Sequence, residues 1–437
     1  MSSFAVVSIA LCVCLALVQR TPVDAANILA VQSIAGESHW NVMLAVLWAL
    51  TDRGHSVTVF TPFADGDRPG YTEVDVSEEA VMFLAMDATF LMENFGSMRK
   101  TIPSMLDYTI TSCNIIYGHR LMADILNGKA AAPKFDLVVT EPLVSECAGY
   151  AATVLRVPTV YVVSFPIVTY LERPLTGHVP NPTSAGHVLS VLGFPKTFTE
   201  RFANVALTWY AKLQRRLTDP RPFDALDLVK LSVIFTNAHF ITEPARPLML
   251  DVVQIGGIHL TRPEPIPKGS AKGVVEIRRP YERQTEELHP KVKLFISHRG
   301  ISGVYEAVDA GVPVLGFPIY NDQPRNIDNL VDSGMAISMD LLSVTKEKFL
   351  NAILENKLLT MKVEYQKNAK IASERFKDRF MPPAESVIYW TEYVLCHKGA
   401  PHVRAGAAPT NGAVGVNDSR DAGVGKGTKD IINKNNK

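Results

Sequence analysis

The feature that most constrains this chain is a repeated alternation of short β-branched runs with amphipathic helical segments. Five such runs stand in the first half: "NILAVQS", "SVTVFTP", "FDLVVTE", "TVYVVS" and "SVIFTNA". A helix is predicted over His39–Arg53, where apolar residues between Met43 and Leu50 share one face. Continuous apolar strands separated by helices are typical of a parallel sheet that is covered on both faces. The sequence therefore predicts a doubly wound, Rossmann-like α/β domain.

A second series of the same kind follows, and we expect it to begin around Val252. It contains the strand candidates "VKLFISH", "VPVLGFP" and "AISMD". Helices are predicted near Ser302–Ala310 and Asn326–Ser333, and the later amphipathic segment "PAESVIYWTEYVLCHKG" should pack back onto the first domain. Residues 257–294 offer only the weak strand "GVVEI" among prolines and charges. The second domain is therefore expected to be incomplete.

The two ends of the chain differ in composition from the rest. Residues Phe4–Val18 form a short apolar run that is followed by small residues before Ala26, as in a cleaved signal peptide. The end is rich in Gly, Asn, Lys and Asp without an apolar period, which is typical of disorder. The expected parts are a signal peptide (1–25), a first domain (26–245), a second domain (246–403) and a disordered polar tail (404–437). The predicted location is the secretory pathway, in the endoplasmic reticulum lumen or outside the cell.

Several function classes are disfavoured by the bulk properties and by absent motifs. The 437 residues carry a formal net charge of zero, which gives no electrostatic reason to expect nucleic acid as a partner. There is no GxGxxG, no P-loop lysine motif and no GxSxG elbow. His259, His289 and His402 share no metal-ligand spacing, and "DGD" at Asp65–Asp67 is interpreted as a turn.

The cysteines do not form an evident disulfide framework. Cys12 and Cys14 belong to the predicted signal peptide, so Cys113, Cys147 and Cys396 would remain in the mature chain. One pair among three widely spaced thiols is possible. Buried free thiols are the favoured interpretation.

Three titratable residues stand where strands of the predicted sheets end, which is where open α/β sheets bind ligands. His39 lies beyond the first strand, Glu141 closes "FDLVVTE", and His298 closes "VKLFIS". His39 and Glu141 suggest a base and the carboxylate that orients it, since a carboxylate on one ring nitrogen fixes the tautomer. The alternative is a histidine that caps its own helix and a solvated loop acid.

The segment around His298 has features of a binding site for phosphate and sugar. The helix that starts after His298 offers free N–H groups and a positive dipole end to a diphosphate. Glu306 could accept hydrogen bonds from ribose hydroxyls, and Asp322 and Gln323 could form hydrogen bonds with sugar hydroxyls. The alternatives are a solvated helix face for Glu306 and a simple turn for "NDQP".

The combined motifs resemble the UDP-glycosyltransferase family, of the UDP-glucuronosyltransferase type and most like its insect members. The segments that carry the resemblance are "ESHW", "DRGHSVTVFTP", "HPKVKLFISHRGISGVYEAVDAGVPVLGFPIYNDQPRN" and "ESVIYWTEYVLCHKGAPH". It implies a GT-B fold, with an acceptor-binding domain and a UDP-sugar-binding domain facing across a cleft. It also implies inverting transfer of glucose or glucuronic acid to a small lipophilic acceptor, with no metal and no cofactor beyond the UDP-sugar. His39 matches the family's general base, and Glu141 matches the partner of that base.

The donor-binding positions of the family match His298, Gly300, Glu306, Asp322 and Gln323. The resemblance implies that His298 and the turn at Gly300 bind phosphate and that Glu306 binds ribose. It implies that Asp322 and Gln323 bind the hydroxyls of the sugar.

The chain also departs from the family pattern. A serine–glycine loop, a tryptophan–proline–glutamine segment that stacks on uracil and several dozen residues before "HPKVKLF" are missing, and Arg299 and Gly303 replace a glycine and a hydroxyl residue. The expected C-terminal membrane helix has given way to the polar tail. The alternative function is therefore a catalytically inactive binding or partner protein, which could associate with homologous subunits.

Overall fold

The computed structural model describes residues 24–80, 98–129, 133–142, 146–166, 181–187, 195–218, 231–243, 248–260, 275–277, 292–298, 300–319, 322–352 and 363–403. Most of the predicted signal peptide, the predicted polar tail, His289 and Arg299 lie outside these residues. So does the greater part of the stretch between Gly257 and Leu294.

The first sheet has seven strands among the described residues, all parallel, in the order β3-β2-β1-β4-β5-β6-β7. Its strands are β1 (Asn27–Val31), β2 (Ser56–Thr61), β3 (Tyr71–Asp75), β4 (Leu137–Thr140), β5 (Thr159–Val163), β6 (Leu231–Thr236) and β7 (Val252–Gln254). In β1, Ala30 stands opposite Val59 of β2 on one side and Val139 of β4 on the other. The predicted doubly wound Rossmann-like sheet is confirmed.

The helices follow the strands in alternation. In the first half they are α1 (Glu37–Asp52), α2 (Met98–Gly118), α3 (Arg120–Leu126), a 3-10 turn (Glu146–Gly149), α4 (Tyr150–Leu155) and α5 (Phe198–Thr218). In the second half they are α6 (Ile301–Ala310), α7 (Gln323–Asp332), α8 (Lys346–Leu350), α9 (Val363–Lys377) and α10 (Pro383–Cys396). Helix α1 buries Val42, Met43, Val46 and Leu47 against the sheet, because these residues share the face that the sequence period predicts.

The second sheet is smaller and has four described strands in the order β11-β10-β9-β8. They are β8 (Val275–Ile277), β9 (Leu294–Ser297), β10 (Val314–Gly316) and β11 (Ala336–Ser338), and all are parallel. The weak strand predicted within "GVVEI" is present as β8 and pairs directly with β9. Helices α6 and α7 follow β9 and β10, as the sequence predicts.

The expectation that Val252 opens the second series is wrong. Strand β7 pairs with β6, with Val253 opposite Phe235, and so forms the last described strand of the first sheet. The apolar run "VVQ" is too short to reveal from sequence alone which sheet it joins. The domain limits 26–245 and 246–403 stay predictions.

The expectation of buried free thiols is also wrong. Cys113 of α2 and Cys147 of the 3-10 turn form a disulfide with a Cα–Cα distance of 6.2 Å, and Cys396 is free and exposed. The pair forms because α2 packs beside the 3-10 turn, a tertiary contact that residue spacing does not encode.

Residues of both sheets share one hydrophobic cluster. Ile34, Tyr161 and Ile234 from the first half belong to the same cluster as Val304 and Tyr305 from α6. The last helix, α10, returns to pack on α1 as predicted, and Arg53 Nε donates to Glu392 Oε1 at 2.6 Å. None of the described helices is long and apolar enough to cross a bilayer.

Candidate functional site

His39 lies in the first turn of α1, immediately after the loop that leaves β1. A Cβ on Gly36 would stand 3.3 Å from His39 Cδ2, so glycine lets the loop lie against the imidazole ring. His39 Nδ1 donates to Glu141 Oε1 at 2.8 Å. The histidine side chain therefore does not cap its own helix but reaches across to the end of β4.

Glu141 directly follows β4 and is buried, so it is not a solvated loop acid. Besides His39, its Oε1 accepts from the backbone N–H of Ser164 at 3.1 Å, and its Oε2 accepts from Gln32 Nε2 at 3.3 Å. Three donors from three different elements hold the carboxylate in one position. Such fixation is what an orienting carboxylate requires.

The two groups shift each other's titration. Burial alone lowers the pKa of His39, but the Glu141 carboxylate, its hydrogen bond and the charge of Asp322 raise the pKa above the ordinary histidine value. Burial alone raises the pKa of Glu141, yet the charge and hydrogen bond of His39 and the bonds from Ser164 hold it below its usual range. Both directions favour an imidazolium beside a carboxylate, so His39 is a stronger base than a free histidine.

Because Nδ1 is engaged by Glu141, Nε2 is the ring nitrogen that can receive a proton from a ligand. The ring edge meets Phe165 in a T-shaped contact with the centroids 5.9 Å apart. Ser164 Oγ donates to the backbone carbonyl of His39 at 3.3 Å. The imidazole is thus fixed by its carboxylate, by an aromatic neighbour and through its own backbone.

Sequence reasoning missed several residues that build this site. Gln32 follows β1, Ser164 follows β5 and Asn237 follows β6, so each stands at a carboxyl end of the same sheet. Asn237 Nδ2 donates to the carbonyl of Ser164 at 3.1 Å, which joins these strand ends into one hydrogen-bonded row. The strand-end rule that selects Glu141 would have found them, had it been applied to every strand.

A small cleft opens beside this row. It is lined by residues such as Gln32, Ser33, Ser112 and Ile116. Tyr108 Oη accepts from the backbone N–H of Ala35 at 2.6 Å and so fixes the loop that precedes α1, while burial raises the pKa of Tyr108 to about 12. The lining of the cleft is partly polar and partly apolar.

On the side of the second sheet, His298 follows β9 and is half-buried, and Gly300 immediately precedes α6. A Cβ on Gly300 would lie 3.2 Å from His298 Nε2, so glycine leaves room for the ring. Glu306 is only 1% exposed, which overturns the solvated-face alternative. It also keeps this carboxylate away from an open ligand surface in the described conformation.

Asp322 and Gln323 begin α7. Asp322 Oδ2 accepts from Asn326 Nδ2 at 2.7 Å, and buried Gln323 accepts from the backbone N–H of Ile319 at 2.8 Å. Burial raises the pKa of Asp322, against the bond from Asn326 and the charge of His39. The charges of His39 and Asp322 thus influence each other's pKa, while the side-chain carbonyl of Gln323 accepts from its own loop.

Two UDP-glycosyltransferases are similar to this chain in sequence. UDP-glucosyltransferase 2 from Dactylopius coccus is 26% identical over an alignment of 456 residues, which covers 88% of this chain and 87% of the relative. UDP-glucuronosyltransferase 2B17 from Rattus norvegicus is 25% identical and covers 84% of each chain. The alignment has 456 positions, but 88% of this chain of 437 residues fills fewer of them. At several dozen positions the insect relative therefore has a residue and this chain has none.

The fold and the family follow from two further likenesses. The solved glycotransferase of kitacinnamycin has a TM-score of 0.50 at 13% identity and covers 84% of this chain and 98% of its own, and the shared fold is GT-B. Residues 28–276 and 284–410 match the family described as "UDP-glucoronosyl and UDP-glucosyl transferase". Residues 277–283, which the match leaves out, lie within the stretch 257–294. The chain belongs to this UDP-glycosyltransferase family.

Proposed function

We propose that this chain transfers glucose or glucuronic acid from a UDP-sugar to a hydroxyl of a small lipophilic acceptor, with inversion and without a metal. The observation that carries the proposal is the partly buried contact of 2.8 Å between His39 Nδ1 and Glu141 Oε1. It leaves Nε2 as the nitrogen to take a proton from the acceptor.

In the proposed step, His39 Nε2 takes the hydroxyl proton of the acceptor. The acceptor oxygen bonds to the anomeric carbon of the sugar as the bond from that carbon to the UDP oxygen breaks, so the configuration inverts. Glu141 stabilises the imidazolium that forms, because it is already hydrogen-bonded to the opposite ring nitrogen. Negative charge on departing UDP would be stabilised by His298 and by the N-terminus of α6.

A second candidate function, a catalytically inactive binding or partner protein, is favoured by the donor side. Glu306 is buried, the side-chain carbonyl of Gln323 is occupied by Ile319, and the sequence departs from the family pattern before "HPKVKLF". A lost base-stacking platform alone removes about 1–3 kcal/mol of binding free energy, by analogy with stacked nucleic-acid bases. Such a protein would keep the acceptor cleft and could associate with homologous subunits.

The two functions differ first in donor binding. Calorimetric titration of the purified chain with UDP-glucose and with UDP-glucuronate should show saturable binding at micromolar concentration if the enzyme proposal holds. Absence of binding to both donors supports the inactive protein. The donor that binds also decides between glucose and glucuronate.

Transfer to a panel of small lipophilic alcohols and phenols then tests the base. His39→Ala should abolish product while leaving donor binding nearly unchanged, because His39 contacts the acceptor side. Equal turnover of wild type and His39→Ala would remove His39 as the base. The proposed location is the secretory pathway, supported by the apolar segment at residues 4–18.

A further inference from the structure

The side-chain amide of Gln32 has one end engaged and one end unpaired. Gln32 is only 1% exposed. Its Nε2 donates to the backbone carbonyl of Ile34 at 2.8 Å and to Glu141 Oε2 at 3.3 Å. Its Oε1 has no hydrogen-bond partner among the described residues. A buried carbonyl oxygen without a donor costs free energy, so this atom marks a place where a donor from outside the chain would bind.

The neighbours of this amide fix its orientation. Nε2 carries two protons, and each has an oxygen acceptor, on Ile34 and on Glu141. Turning the amide over would place Oε1 against these two acceptors, so neither hydrogen bond could form. Oε1 is therefore the end of the amide that stays available to a ligand.

Gln32 belongs to the lining of the small cleft beside the strand ends. Two hydroxyl residues of that lining already have partners within the protein. Ser33 Oγ donates to the backbone carbonyl of Glu141 at 3.1 Å, and the Ser112 side chain is hydrogen-bonded to Tyr108. Among the described residues of the lining, the Gln32 carbonyl is the polar side-chain group that still requires a donor.

The rest of the lining decides what kind of donor fits. It is apolar and consists of Ala35, Pro62, Val76, Ala80, Ile115 and Ile116. An ammonium ion would lose its hydration there for one unpaired carbonyl oxygen, which is unfavourable. A neutral hydroxyl loses much less, and the carbon atoms that carry it gain from contact with the apolar walls. The lining therefore favours an aliphatic alcohol.

We propose that this cleft binds the hydroxyl end of a small aliphatic molecule, which donates its hydrogen bond to Gln32 Oε1. The same amide donates to Glu141, the carboxylate that holds His39. A hydrogen bond to Oε1 polarises the amide and strengthens its N–H donors, so the ligand is coupled to this pair. The inference does not depend on sugar transfer, because Glu141 enters it only as an acceptor.

NMR titration of the full chain, labelled on its glutamine side chains, tests the site. The probes are n-propanol and its isomer ethyl methyl ether, which has the same atoms but no O–H. The alcohol should shift the Gln32 amide to higher frequency with saturation at millimolar concentration, and the His39 ring resonances should move with the same midpoint. The ether should cause neither change.

Three outcomes of this titration would count against the proposal. Equal shifts by the two isomers, or the absence of a saturable shift, would overturn it. Tighter binding of propylammonium than of n-propanol would overturn the assignment to a hydroxyl. Saturation at Gln32 without any movement of the His39 resonances would remove the coupling.

Variants then separate the amide from the shape of the cleft, with saturation-transfer NMR observed on the propanol methyl group. Gln32→Met keeps the side-chain length but removes the amide, so the affinity should fall by at least about tenfold. Gln254→Met makes the same exchange in β7, the last described strand of this sheet, and should bind as wild type does. Ala80→Leu fills the cleft without altering Gln32, so it should abolish binding even if Gln32→Met fails to fold. Wild-type affinity in Ala80→Leu would place the alcohol elsewhere and overturn the proposal.

Discussion

The carboxylate of Glu243 accepts a hydrogen bond from the guanidinium of Arg325, and both side chains are buried. Glu243 lies in the loop after β6 of the first sheet, whereas Arg325 belongs to α7. In the same place Asn329 Nδ2 donates to the carbonyl of Thr242 at 2.7 Å. These contacts tie α7, which Asp322 directly precedes, to the first sheet, on which the helix of His39 packs.

Removing one partner of this ion pair should destabilise the protein strongly. Arg325→Met leaves the Glu243 carboxylate buried without its cation, which costs about 3–5 kcal/mol in the free energy of unfolding. Chemical denaturation followed by circular dichroism measures the change. The double variant Arg325→Met with Glu243→Leu should recover most of the loss, since two apolar side chains can replace a buried pair. A single variant with wild-type stability would show that the pair is dispensable.

The pH dependence of transfer should report the pair of His39 and Glu141. His39 must be unprotonated to act as base, so kcat/KM should rise with pH through a pKa above that of an ordinary histidine. Glu141→Gln removes the charge that raises this pKa while burial still lowers it, so the acid limb should move to lower pH and the rate should fall by about 10²- to 10⁴-fold. Histidine NMR between about pH 5 and about pH 9 shows the same shift without turnover. An unchanged His39 pKa in Glu141→Gln would contradict the role given to Glu141.

The disulfide between Cys113 and Cys147 should contribute substantially to stability. It closes a loop with a sequence separation of 34, for which the loss of chain entropy in the unfolded state corresponds to about 3–4 kcal/mol. Cys113→Ala with Cys147→Ala should lower the melting temperature measured by calorimetry without reductant. Cys396→Ser is the matched control, because this cysteine is free and exposed. Equal melting of the double variant and wild type would mean that the cross-link adds nothing.

Gly256 should tolerate no side chain. A Cβ there would lie 2.6 Å from the carbonyl oxygen of Ala238 and 2.9 Å from the Tyr305 ring, so Gly256→Ala forces these neighbours apart and should cost about 1–3 kcal/mol. Gly118 ends α2, and a Cβ at that position would meet no atom within 4 Å, so Gly118→Ala should be neutral or slightly stabilising. Denaturant midpoints compare the two. Equal midpoints would show that the contact at Gly256 relaxes freely.

Strand periodicity predicted most of the two sheets and the places where chemistry could gather. His39 and Glu141 were recognisable because each follows a strand, and the carboxyl ends of parallel strands meet at one edge. Strand β3 (Tyr71–Asp75) was not predicted, since at the end of the sheet only Tyr71 and Val74 of its five residues are buried. A strand of this kind lacks the continuous apolar run that marks a central one.

Other features depend on contacts that local pattern does not encode. The approach of Cys113 to Cys147 arises from the packing of α2, and the pairing of Val253 with Phe235 arises from the path of the chain after Glu243. Helix α5 escaped prediction for a different reason. Its largest apolar residues face outwards, so its period does not indicate which face meets the protein.

The return of α10 to α1 constrains how this protein could be recombined with its relatives. Val387 and Val394 lie in the hydrophobic cluster of the first sheet, and Glu392 binds Arg53. A chimaera joined at one point after β7 would bring a foreign closing helix against Trp40, Val46 and Arg53. Exchange of the half that carries the second sheet therefore requires two junctions, one after β7 and one before Pro383, so that the closing helix stays with the half it completes.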